Sequence, residues 1–139
     1  MRAWFVRLLN SIRPPRLNSP GPLRATPARR RIKHYAALSG YAYEYYFEGY
    51  RVRGVGREYL FKVSGDRKSW FAFQINLDER AIAAWELAHE RTLAENERYA
   101  AAKLALFAAF DERPNPSQMQ SSTDVTVEIV EELLSRLEL

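Results

Sequence analysis

The chain contains no cysteine. Disulfides, thiolate metal sites and cysteine nucleophiles are therefore excluded. No apolar run approaches the roughly 20 residues that cross a bilayer as a helix. Histidine is scarce, with two in 139 residues, His34 and His89. Acid is missing from residues 1–43, which hold eight arginines and Lys33 and so carry +9, whereas residues 44–139 carry −5. Glycine and proline are both absent from residues 77–113. A chain of 139 residues makes one domain, at most with a tail. The charge split places the tail at the front, residues 1–40, and the folded part at 41–139. Arginine outnumbers lysine seventeen to four, which reads as genome composition and not as a phosphate-binding design.

The front segment has two parts. Met1, Trp4, Phe5, Leu8, Leu9 and Ile12 share one helical face, flanked by Arg2, Arg7 and Arg13. Beyond them lie five prolines, at 14, 15, 20, 22 and 27, which forbid a continuous helix or strand. Residues 1–40 are expected to be a basic, disordered arm. Arg7 interrupts the apolar core that a secretory signal needs. An amphipathic, arginine-rich, acid-free presequence fits better. A basic arm touching nucleic acid, or an anionic membrane through residues 1–13, also fits. So does a flexible tail or a misassigned start codon. Localisation is not assigned: the options are the cytoplasm or, if residues 1–35 are a cleaved presequence, the mitochondrial matrix. The basic run 28–33, "ARRRIK", is by itself unspecific.

From Tyr41 the apolar period becomes two. Tyr41, Tyr43, Tyr45 and Phe47 share a face, and Tyr50 and Val52 resume one residue out of phase. A bulge at Glu48 and Gly49 restores a common face, and a turn there is the alternative. "RGVG" (53–56) and "SGDRK" (64–68) are loops between strands at 57–64 and 69–75. The expected sheet is a three-stranded antiparallel meander over 41–75. Its apolar face collects Tyr41, Tyr43, Tyr45, Phe47, Tyr59, Phe61, Val63, Phe71, Phe73 and Ile75. Each aromatic there buries on the order of 150–250 Å² once covered. The other face presents a patch of Tyr46, Leu60 and Trp70 among Glu44, Glu58 and Lys62.

The glycine- and proline-free run predicts a long helix over 77–112, capped by Asn76 with Glu79 three residues on. At about 35 residues it is roughly 52 Å long, against roughly 26 Å for a strand of about eight residues. It must overhang the sheet or bend. Its last part, "YAAAKLALFAAF" (99–110), is apolar nearly all round and needs partners on several sides. A linker over 113–123 leads to an amphipathic helix over 124–139. Its stripe, with Ile129, Leu133 and Leu137, can pair with Leu104, Phe107 and Phe110 within one chain or between two.

No chemistry-bearing motif emerges. Glu86 and His89 form one Glu-x-x-His pair, but a dimetal bundle site needs a second. Leu93 stands where a zinc-protease helix requires histidine. Ser64 lacks a nucleophile elbow, and "RGVG" lacks the residues of a phosphate loop. No catalytic, metal or cofactor residue is assigned.

A meander followed by a helix over residues 50–89 resembles, in element order, the DNA-binding domains of the ethylene-response-factor type and the arm-binding domains of some integrases. The resemblance implies a sheet that reads the major groove. Here Glu44 and Glu58 share the open face with Trp70 and Lys62, and acids oppose phosphates. No binding residue is carried over. Arg51, Arg53 and Arg57 around the first loop are candidate anion contacts, or charges that protect a sheet edge.

The sequence therefore reads as one α+β domain, and as a binding protein in preference to an enzyme. The leading expectation is a non-catalytic interaction or scaffolding module, self-associating through its helices or binding another protein. The alternative is nucleic-acid binding through the arm and the Arg51, Arg53, Arg57 hairpin. A small enzyme without a recognisable motif comes third.

Overall fold

A computed structural model of the chain describes residues 20–120 and 122–139. The amphipathic stretch 1–13, with its targeting and membrane readings, lies outside them. The chain is α+β: β1 (Lys33–Ala36), β2 (Ala42–Arg53), β3 (Gly56–Ser64), β4 (Phe71–Asp78), α1 (Glu79–His89), α2 (Glu95–Glu112), a 3-10 turn (Pro116–Gln120), β5 (Thr123–Val125) and α3 (Val127–Arg136).

The meander sits at the centre of a larger sheet. Five strands lie in the order β1-β2-β3-β4-β5. The first three pairings are antiparallel, and β5 joins β4 in parallel. A parallel return needs a crossover, and α1 and α2 supply it. The out-of-phase step is a bulge: Phe47 pairs with Phe61 and Gly49 with Leu60, leaving Glu48 extra.

The inward face is the one that alternation marked. Tyr43, Tyr45, Tyr59, Phe61, Val63, Phe73 and Ile75 are all buried. Of the rest, Phe47 and Phe71 are partly buried against the same core, and Tyr41 falls outside it. Tyr41 precedes β2, in the turn after β1, and is 41% exposed. The third strand extends to Asp78, so Leu77 joins the core, fully buried. Asp78, not Asn76, then caps α1 by accepting the Arg80 amide at 2.8 Å.

The expected single helix over 77–112 is two helices. Glu90 ends α1 in the left-handed region (φ 50°, ψ 44°). The Glu86 side chain accepts the Leu93 amide at 2.7 Å, and Leu93 is buried. The Glu97 carboxylate takes the Ala94 amide at 2.9 Å, closing the start of α2. Carboxylates satisfy the orphan amides and Leu93 anchors the loop, so the break needs neither glycine nor proline. It turns α2 back across the same face of the sheet, where its rings meet β1, β2 and β3. Phe107 stacks on Tyr35 at 4.3 Å, Phe110 on Tyr43 at 4.3 Å, and Tyr99 lies 4.7 Å from Phe47.

Two further expectations change. Residues 20–40 are not a loose arm: the Gly21 amide donates to Val52 O at 2.8 Å, Arg24 bridges Tyr50, and Lys33–Ala36 is the edge strand β1. The linker over 113–123 also has order. The Arg113 guanidinium lies over Phe73 and donates to Gln118 O and Thr123 Oγ1 at 3.2 Å each. β5 (Thr123–Val125) straddles its end and takes the first residues expected to be helical, so the last helix runs Val127–Arg136 and not over 124–139. It packs against α1 and α2. Among the described residues no helix is long and apolar enough to cross a membrane.

Candidate functional site

The three hairpin arginines do not converge. Arg51 and Arg53 share the open face and both bind Glu58, at 2.8 and 3.1 Å. Glu58 is 5% exposed, so its charge is spent on them. Arg57 faces the helices. It grips Glu95 with both amino groups, at 2.5 and 3.1 Å, and its Nε lies 3.5 Å from Glu79. Arg98 also binds Glu79. Glu95 is held below its ordinary pKa, first by its hydrogen bond to Arg57, and the same bond pushes Arg57 up.

The open-face patch is partly assembled. Tyr46 and Trp70 are in ring contact at 5.4 Å, with the Arg30 guanidinium 5.2 Å over Tyr46. Leu60 shares that face, across from Gly49 and Gln74. All three patch residues are half-buried. Charges around them pair across strands: His34 and Arg67 with Glu44, Lys62 with Glu48. The candidate helix interface is occupied from within the chain. Phe110 and Leu133 are buried, and Leu104, Phe107, Ile129 and Leu137 pack on the same core. Glu86 and His89 part company: His89 Nε2 lies 3.0 Å from the Glu131 carboxylate, stacked beside Trp85.

A different site lies beneath the arm. Arg24 pairs with Tyr50 and Lys33 with Tyr45. The arm therefore takes nine residue steps where β2 takes five. The surplus bows away from the strand as an arch that includes Pro27, and covers a cleft of about 800 Å³. Its floor is Tyr45, Phe47, Tyr50 and Tyr59, its far wall Tyr99 at the start of α2, and its rim Arg29, Arg31 and Lys33. Lys103, one turn beyond Tyr99 and 5.9 Å from that ring, sets its ammonium beside that of Lys33.

Electrostatics separate this cleft from its surroundings. Arg29, Arg31, Lys33 and Lys103 make no ion pair among the described residues, and the remaining positions hold no acid. Lys103 is pushed down by burial and then by Lys33. The one carboxylate in the lining, Glu95, is taken by Arg57. Burial holds the phenols neutral: Tyr45 rises to about 12, and Tyr59 and Tyr99 also rise. A second cleft of about 820 Å³ beside β4 and β5 mixes the two signs by contrast, four acids with three arginines. There Asp78 is held by Arg80, Asp124 by Asn76 and Glu58 by two arginines. Aromatic walls with unpaired cations stack and attract anions.

The cleft residues were in plain view as types but not as a set. Arg29, Arg31 and Lys33 lie in the basic run, and Tyr45, Phe47 and Tyr50 in the tyrosine-rich strand. Lys103 is the one charged residue of the apolar run 99–110, a signal that by itself marks an oddity. Among the described residues no three His, Asp or Glu side chains gather as a metal site. No family model, curated protein or solved structure matches the chain.

Proposed function

We propose that this chain is a non-catalytic binding module that takes an anionic partner through its cationic arm and the cleft beneath it. One observation carries the reading: Arg29, Arg31 and Lys33 line the cleft without an ion pair, against aromatic walls, with Lys103 just outside the lining beside Tyr99. Tyr45, Tyr59 and Tyr99 are raised by burial and the cleft's carboxylate is committed to Arg57, which favours binding over proton transfer. Self-association through the helices, the expectation from periodicity, has less to drive it once their apolar stripes are spent on the sheet and on each other. The partner favoured is an acidic protein surface. The test is quantitative co-purification from native cells with an Arg29→Gln/Arg31→Gln/Lys33→Gln chain. The principal partners of the wild type are expected to be lost from a variant that melts normally. An unchanged partner set would refute the reading.

A second reading, nucleic-acid contact, is favoured by the same cations but without the hairpin, whose arginines are already paired. It predicts oligonucleotide binding that weakens steeply with salt. Absence of binding by the full chain at about 50 mM salt would dismiss it.

A further inference from the structure

We infer that the cleft beneath the arm is a seat for a small aromatic anion, a flat unsaturated ring bearing a phosphate or carboxylate. The inference goes beyond the binding-module reading, since it gives the cations that meet an acidic protein surface a second, small-molecule partner, and it rests on that reading for the role of the arm. The first support is size. At about 800 Å³ the space falls within the roughly 300–1,000 Å³ typical of small-molecule sites, and it exists because the arch has surplus chain. From residues 25–32 no backbone hydrogen bond reaches β2. The arm is pinned at both ends and lifted between them.

The second support is the lining. Phe47, Tyr50 and Tyr99 line the cleft and are half-buried. Tyr50 already carries the Arg57 guanidinium 4.6 Å over its ring. The Tyr99 ring stacks on Phe61 and carries Lys103 over it, so a flat ring entering the cleft meets the tyrosines by edge contacts.

The third support is charge. Lys103 is lowered first by burial and then by Lys33, so the two ammonium groups are near enough to repel each other, and neither makes an ion pair among the described residues. An anion at that point removes the repulsion and gains two partners. Arg29 and Arg31 on the rim add planar forks suited to phosphate or carboxylate oxygens. Ring and anionic group thus have adjoining seats, the ring against the cleft's tyrosines and the anion at Lys33 and the rim arginines.

The test is calorimetric titration of the full chain with 1-naphthyl phosphate and 1-naphthoate, beside inorganic phosphate and the neutral 1-naphthalenemethanol. At least one naphthyl anion is expected to bind about tenfold or more tighter than both controls, since each control lacks one of the two contacts. Lys33→Gln/Lys103→Gln should weaken that binding about tenfold or more. It removes a like-charge contact and should melt no lower than wild type. Arg29→Gln/Arg31→Gln is the second, exposed variant. Arg67→Gln/Arg136→Gln, an equal charge change at two exposed positions outside the cleft, should leave binding unaltered. Tyr99→Leu should weaken the naphthyl anions and leave inorganic phosphate unaffected. Equal binding of inorganic phosphate would reduce the site to a charge patch. Equal binding of naphthalenemethanol would reduce it to an apolar crevice. Either result, or indifference of a folded lysine variant, overturns the inference. If the arm variant nevertheless loses its cellular partners, the binding module stands without this ligand.

Discussion

Tyr35 ties two distant parts of the chain through one hydroxyl. Its ring stacks on Phe107, and its O–H donates to Asp111 Oδ2 at 2.7 Å. The other Asp111 oxygen accepts the Leu38 amide at 2.9 Å, so one carboxylate fastens β1 and its turn to the end of α2. Burial, then Asp111, pushes the phenol to about 12. The folded chain keeps this proton at a pH where the unfolded chain, near 10, has lost it. Stability from this group is complete below about pH 10 and declines as pH rises toward about 12. Tyr35→Phe is expected to cost about 1 kcal/mol at neutral pH, a difference that shrinks over that alkaline window. Urea unfolding of both proteins from pH 8 upward measures it. A gap that stays constant to pH 12 would remove the hydrogen bond from the account.

At the scale of elements, the bulge in β2 and the arm depend on each other. Gly49 has φ 135°, and a Cβ placed there would lie 2.8 Å from both Arg24 O and Thr26 Oγ1. Only a residue without a side chain lets the arm lie this close. Gly49→Ala is expected to cost about 1–3 kcal/mol and to lift the arm from the strand. Thermal melting would show the first effect, and faster tryptic cleavage at Arg29 to Arg31 the second. An arm as resistant to trypsin as in wild type would show that the close approach does not hold it. The bulge was legible because Tyr50 and Val52 fall out of phase with Tyr43 and Tyr45. The arm was not, because its partners, Tyr50 and Val52, lie more than two dozen residues away and its prolines argue locally for disorder.

At the scale of the molecule, the apolar end of α2 is an internal seam. Phe107 stacks on Tyr35 and meets the Tyr45 ring edge-on at 5.6 Å. Phe107→Glu is therefore expected to lower the stability of a single chain by about 3 kcal/mol or more. It should not divide a dimer. Sedimentation of the wild type at the 16.2 kDa of one chain, with a large fall in melting temperature for the variant, is the expected pair of results. A wild-type dimer that the substitution splits into stable monomers would contradict it. The bend between the helices is what makes the seam internal. A straight rod over 77–112 would carry Phe107 and Phe110 past the edge of the sheet.

Hydrophobic periodicity is written in neighbouring residues, and the sequence by itself determined what depends on it. That covers the hairpins, the inward face of Tyr43, Tyr45, Phe61 and Phe73, and the apolar stripe of α3. It also established the separation of positive and negative charge along the chain. The tertiary structure alone decided where those charges meet. It paired Arg51 and Arg53 with Glu58 and Arg57 with Glu95, which silenced the arginines that stood out. It brought Lys103 beside Lys33 and left them unpaired. The same holds for β5, three residues whose strand character comes wholly from lying against Ile75 to Leu77. Ion pairing and sheet registry act over a few ångströms in space, and residues tens of positions apart carry no local trace of that proximity.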